Sequence, residues 1–255
     1  MRTFLTLVLA TVCMIALVSC IQYDQVITLN KDGSGKVDLH YAMSEMMTQQ
    51  MKAMSQMAEE MSKNMGGEAT EEPEKDEMNI FNFEEDKIKG EFDSLKQDGI
   101  SLTDSKTYKK DGWEHVELTF TFKDFTKLSK VSYFKDNDMK ITKNAKGNYV
   151  IFSKSKKGEE KAEAAEEGEE APSMEGMPDE DAMKDMMLPM MKGFRVSITF
   201  NTPTPIVSTT APEKGKTMAK WEFDLEKDQE AMSKMEEEDM VIEFEGKGVS
   251  MKEMK

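Results

Sequence analysis

Residues 113–123 read Trp-Glu-His-Val-Glu-Leu-Thr-Phe-Thr-Phe-Lys, with Val116, Leu118, Phe120 and Phe122 at every second position. Side chains alternate across a strand, so this spacing commits one face to a core and leaves Trp113, His115, Glu117, Thr119 and Thr121 on the other. Asp111-Gly112 stands just before the run, and residues 101–109 form a second strand-like stretch before it. Asp-Gly supplies the positive-φ positions of a tight hairpin turn, so the chain must build an antiparallel pair and then cover its apolar face.

The same pattern recurs along the chain. Tyr23, Val26 and Leu29 and then Val37, Leu39 and Tyr41 flank Lys31-Asp32-Gly33-Ser34-Gly35. A third hairpin is expected from Met139 through Lys146-Gly147-Asn148 to Phe152, and further strands at Phe194–Phe200, Trp221–Phe223 and Val241–Phe244. Between them, Ile88, Phe92 and Leu95 fall at i, i+4 and i+7 ahead of Gly99, which marks a helix and its end. Residues 44–65, 182–191 and 226–238 are the other helical candidates. The expected fold is α+β: an antiparallel sheet built from hairpins, with helices packed on one face.

The first twenty residues, MRTFLTLVLATVCMIALVSC, carry one cation, Arg2, and then an apolar run without acids. This is a secretory signal, too short for a membrane span of about 20 apolar residues. Leu17-Val18-Ser19-Cys20 looks like a bacterial lipobox. That resemblance implies removal of residues 1–19, with Cys20 as a diacylated and N-acylated mature N-terminus carrying palmitate-type chains. Acyl chains contribute about 0.8 kcal/mol per buried methylene, so several of them hold a folded domain on a bilayer. Cys13 leaves with the signal, and the mature chain then has no other cysteine for disulfides, thiol catalysis or zinc. Ile21 stands where Asp is associated with inner-membrane retention, so the outer membrane of the bacterial cell envelope is the expected location.

Cleavage removes Arg2 and takes the formal charge from −16 to −17. Residues 66–78 and 159–181 carry −15 of it, in Gly-, Pro- and Glu-rich stretches too polar to repay the entropy of ordering. They are expected to be flexible linkers, at about 66–78 and 156–181, inserted in one domain spanning 20–255. An acidic chain of this kind is not a nucleic-acid binder.

Met43, Met47, Met51, Met54, Met57, Met61 and Met65 advance by three or four residues, close to the helical 3.6. One face of a helix would hold them all. The stripe reads as a core face, as an adaptable surface for a lipid or another apolar partner, or as a thioether site for Cu(I). The same three readings apply to a second cluster, at Met174, Met177, Met183, Met186, Met187, Met190 and Met191. Neither His nor Cys lies near the first stripe, so no metal site is assigned there.

Asn30 to Asp38 matches part of a calcium loop, but Tyr41 stands where a bidentate Glu is needed and the flanks alternate like strands. A hairpin turn accounts for it. His40 and His115 both fall on the polar side of their strands. No nucleophile elbow, zinc-protease helix, phosphate loop or dinucleotide fingerprint is present. The expectation is therefore no catalytic residue, no enzyme activity and no cofactor.

The lipobox, then VITLNKDGSGKVDL, FDSLKQDGISLT, DGWEHVELTFTFKDF and FRVSITFNTPTPIVSTT with AKWEF, resembles the LppM-like bacterial lipoprotein domain family. The resemblance implies an α+β envelope lipoprotein, with a role in binding lipid or glycolipid at most. The Met-rich stretch and the two acidic insertions depart from that pattern, and no functional residue transfers. The function expected is that of a lipid-anchored, non-enzymatic envelope module for binding or assembly, with a methionine-based Cu(I)-binding protein as the alternative. The expected partners are the membrane, through the anchor, and a lipid or protein.

Overall fold

The computed structural model describes residues 21–49, 85–134, 139–155 and 193–254. Cys20, residues 50–84 and residues 156–192 lie outside that description, and with them most of the Met stripe, the second Met cluster and both acidic segments.

Eleven strands and two α-helices are described: β1 Ile21–Leu29, β2 Gly35–Ser44, α1 Glu85–Leu95, β3 Ile100–Lys110, β4 Trp113–Phe122, β5 Met139–Lys143, β6 Tyr149–Ser153, β7 Arg195–Asn201, β8 Ile206–Thr209, β9 Glu213–Lys214, β10 Met218–Asp224, α2 Ala231–Glu237 and β11 Met240–Phe244. A short helical stretch at residues 45–49 follows β2 directly. The strands form two sheets, ordered β3-β4-β2-β1-β7-β10-β9 and β5-β6-β11-β8.

The three expected hairpins are present. Asp111 and Gly112 take φ of 53° and 79° at the β3–β4 turn, as Asp-Gly predicts. Residues 30–34 close the β1–β2 hairpin, with Gly33 at φ 84° and the Asn30 N–H donating to the Ser34 carbonyl at 2.8 Å. There the Asp32 carboxylate accepts from the Ser34 N–H at 3.0 Å and its hydroxyl at 2.6 Å, the geometry of a turn and not of a calcium loop.

Two expectations are corrected. The larger sheet is mixed: β1 pairs β7 in parallel, from Gln22 with Arg195 to Thr28 with Asn201. A parallel neighbour needs a connection of a dozen residues or more, and the whole chain between Leu29 and Arg195 separates these two strands. There are also two sheets, because the 139–152 hairpin and the 241–244 strand pair with each other and not with β1–β4. Alternation specifies which face of a strand is buried, but it does not name the strand's neighbour.

One face of the larger sheet carries Ile27, Leu39, Tyr41, Val116, Leu118, Phe120, Phe200 and Trp221, all buried. The helix α1 buries Ile88, Phe92 and Leu95, and the Phe92 ring meets Phe120 with centroids 4.9 Å apart. Each such apolar side chain contributes about 1.5–3 kcal/mol on burial. Glu85 and Asp86 stand in the first turn of α1, where they oppose the helix dipole, and Gly99 at φ 82° ends the segment. The late helix is shorter than its 226–238 pattern, because residues 224–230 form turns in which Asp224 and Asp228 accept backbone N–H groups.

Met43 is a further correction. It is the ninth residue of β2, 2% exposed, paired with Ile21 on β1 and Glu114 on β4. Helical spacing is kept at that position, but the two neighbouring strands claim its backbone. Met47, in the 45–49 stretch, is half-buried, while Met51, Met54, Met57, Met61 and Met65 lie outside the described residues.

Candidate functional site

Two places on the larger sheet are candidates: the end that carries Ile21, the residue next to Cys20 in the chain, and the polar outer face. Ile21, the residue after Cys20, is the first residue of β1. On the rung of Ile21 the register sets Met43, Glu114 and Lys109 side by side. One rung further out come Ser44, Trp113 and Lys110. Cys20 lies one peptide unit, about 3.8 Å, from Ile21. Cys20 is therefore joined in sequence directly to the end of the sheet that carries the β3–β4 turn.

On the outer face of the same sheet, β1, β2, β4 and β7 bring polar groups together. His40 Nε2 and His115 Nδ1 are 3.2 Å apart, with ring planes 9° apart and centroids 5.5 Å apart. That nitrogen separation plus the two ring radii accounts for the centroid distance, so the rings meet edge to edge and share one N–H between them. The Asp24 carboxylate stands 3.5 Å from His40 Nδ1 and accepts from Arg195 Nη2 at 2.7 Å. Tyr108 lies flat on His115 at 4.6 Å, donates to Glu117 at 2.7 Å and receives Lys106 Nζ over its ring at 4.5 Å. The row continues to Glu222, held down to about 2 by hydrogen bonds from Lys220 and Lys227.

Burial holds His115 below the usual imidazole range, and the neighbouring His40 adds to this. A histidine depressed in the fold contributes stability above its unfolded pKa, about 6.5, and loses it as pH falls through the folded value. The domain should therefore melt at lower temperature as pH drops from 7 towards 5. His115→Gln should show a shallower drop in thermal melts across that range, since hydrogen bonds from Tyr108 and from Lys220 and Lys227 hold Glu117 and Glu222 below the usual carboxylate range. Equal drops in both chains would remove His115 as the cause.

No nucleophile is paired with the two histidines by these contacts. Among the described residues, no group of three or more His, Cys, Asp or Glu side chains is placed to hold a metal ion. Sequence reasoning put both histidines on polar faces but did not bring them together. They are 75 residues apart, and only the β2–β4 pairing joins them.

The space between the two sheets is small. A cavity of about 20 Å³ is lined by Gln25, Ile198, Trp221, Met240 and Ile242 among others, with room for about one water. A buried acyl chain does not fit there. At the opposite end from Ile21 lies an open groove of about 550 Å³, where Lys96, Lys123, Lys127 and Lys252 face Asp32, Asp98 and Asp124. Asp124 is bound to Lys252 at 2.6 Å and Asp98 to Lys130 at 2.5 Å, which neutralises two of the three carboxylates.

No family model and no curated protein matches this chain. The structure is similar to the NMR structure of the folded domain of the Mycobacterium tuberculosis protein LppM, at 9% identity and a TM-score of 0.41, over 89% of this chain and 90% of that one.

Proposed function

We propose that this chain is a lipid-anchored lipoprotein of the bacterial cell envelope, held at the outer membrane through Cys20, and that it is a non-enzymatic module for binding or assembly. What carries the reading is the sequence around residue 20: a lipobox whose cysteine is followed at once by the first residue of β1. A domain tethered without a linker works at the membrane surface, within reach of lipid or of other envelope proteins. The cavity between the sheets has room for about one water, so an apolar partner is met on the surface. The Met-rich stretch that begins after β2 leaves from the same end of the sheet as the anchor. Thioether side chains repack cheaply against many shapes, which suits such a contact.

The test is fractionation of cells producing the wild type and Cys20→Ala. The wild type is expected in the membrane fraction and the variant in the soluble envelope fraction, folded by circular dichroism. Retention of Cys20→Ala on membranes with the same mass as the wild type, apart from the substitution itself, would overturn the anchor reading.

A further inference from the structure

Resting on the anchor reading, we propose that the β3–β4 hairpin tip and the first turn after β2 form the surface that meets the bilayer, with Trp113 seated at its interface. The inference starts from register. Ile21 lies on the rung of Met43, Glu114 and Lys109, and Trp113 and Lys110 lie one rung further out. Strands are spaced by about 4.8 Å, and a residue advances about 3.4 Å along a strand. The backbone of Trp113 therefore stands about 10 Å to the side of Ile21 and about 3.4 Å beyond it. A lipid on the neighbouring cysteine brings the bilayer to that level.

The chemistry of the tip suits this position. Trp113 is half-exposed on β4, and an indole with an apolar body and one N–H is favoured where hydrocarbon meets headgroups. Met46 is 44% exposed, one of two exposed large apolar side chains among the described residues. Its helical turn is joined to the tip: the Glu45 N–H donates to the Gly112 carbonyl at 2.9 Å, and Lys109 Nζ stands 3.7 Å from the Glu45 carboxylate. Lys109 Nζ is held by Glu114 at 2.5 Å, and the long stem of Lys110 can lie along the interface with its ammonium group among the phosphates. In the cleaved chain of formal charge −17, the charges here, Lys109, Lys110, Asp111, Glu114 and Glu45, sum to only −1. Anionic lipid therefore repels this end less than the chain as a whole. The groove at the opposite end of β1 is about 30 Å away and faces off the membrane.

The chain contains two tryptophans, and the other, Trp221, is 1% exposed in the core. Emission can therefore separate the tip from the body. The full lipidated chain is reconstituted into vesicles of phosphatidylcholine and phosphatidylglycerol, with or without brominated acyl chains, and flotation is recorded for every sample. The wild type and Trp113→Phe are compared, so that their difference reports Trp113 while the core tryptophan is left in place. The Trp113 signal is expected to shift to shorter wavelength on vesicles and to be quenched by brominated lipid, with Trp221 unquenched. A chain that floats with Trp113 unquenched overturns the proposed orientation and leaves the anchor intact. Quenching of both tryptophans alike overturns it too, because the whole domain would then enter the lipid. A wild-type chain that fails to float overturns the anchor reading, and the orientation with it.

Discussion

Phe120→Ala should lower the unfolding free energy by about 3–5 kcal/mol. Phe120 is fully buried on β4, with the Phe92 ring at 4.9 Å and the Phe134 ring edge-on at 6.2 Å. The larger sheet, helix α1 and the turn at Ser132–Phe134 all meet at this side chain. Truncation removes the transfer contribution of the ring and leaves a cavity that three elements cannot close together. Total stability of a domain is about 5–15 kcal/mol, so the variant should be on the edge of folding at growth temperature. The next residue provides the control. Thr121 points to the outer face and is exposed, and Thr121→Ala should change stability by no more than about 0.5 kcal/mol. Urea denaturation of the two variants measures the contrast, and similar midpoints would mean that β4 does not face the core as described.

Gly35→Ala should be damaging for the opposite reason. A methyl group there would overlap the Thr28 carbonyl oxygen and the Phe122 ring, at the point where β1, β2 and β4 run side by side. The oxygen belongs to the backbone of a central strand and cannot swing aside, so the hairpin has to spread. Overpacking of this kind costs about 1–3 kcal/mol, and a backbone obstacle puts Gly35→Ala at the upper end. Gly112→Ala is the informative comparison, since a methyl there meets nothing within 4 Å and the penalty is only that of φ 79°. If Gly35→Ala melts with the wild type, the close approach of β1 to β2 is wrong.

Local pattern was enough for the elements that depend on neighbouring residues. Asp111-Gly112 and the alternation of Val116 to Phe122 placed a hairpin and its buried face, and Ile88, Phe92 and Leu95 placed α1 up to Gly99. What the pattern did not contain was partnership at a distance. The parallel β1–β7 pair joins residues more than 170 positions apart, and nothing local distinguishes a strand with that neighbour from an antiparallel one. The division into two sheets was missed for the same reason. The edge strand β9, only two residues long, has too little alternation to register.

Met43 shows two periods competing at one residue. Counted with Met47 and Met51 it continues a helical series, yet Leu39, Tyr41 and Met43 also alternate, and pairing to Ile21 and Glu114 decides for the strand. At the outer-face cluster, parity put His40 and His115 on the polar side, but the Asp24–Arg195 pair beside them depends on the crossover to β7.

The central claim is that residue 20 carries the lipid that sets the domain on the membrane, and mass spectrometry of the purified mature protein tests it most directly. The predicted result is an N-terminal peptide that begins at Cys20, lacks residues 1–19, and carries the added mass of a diacylglyceryl thioether. A peptide that retains the residues before Cys20, or one that begins at Cys20 with a free thiol, would contradict it.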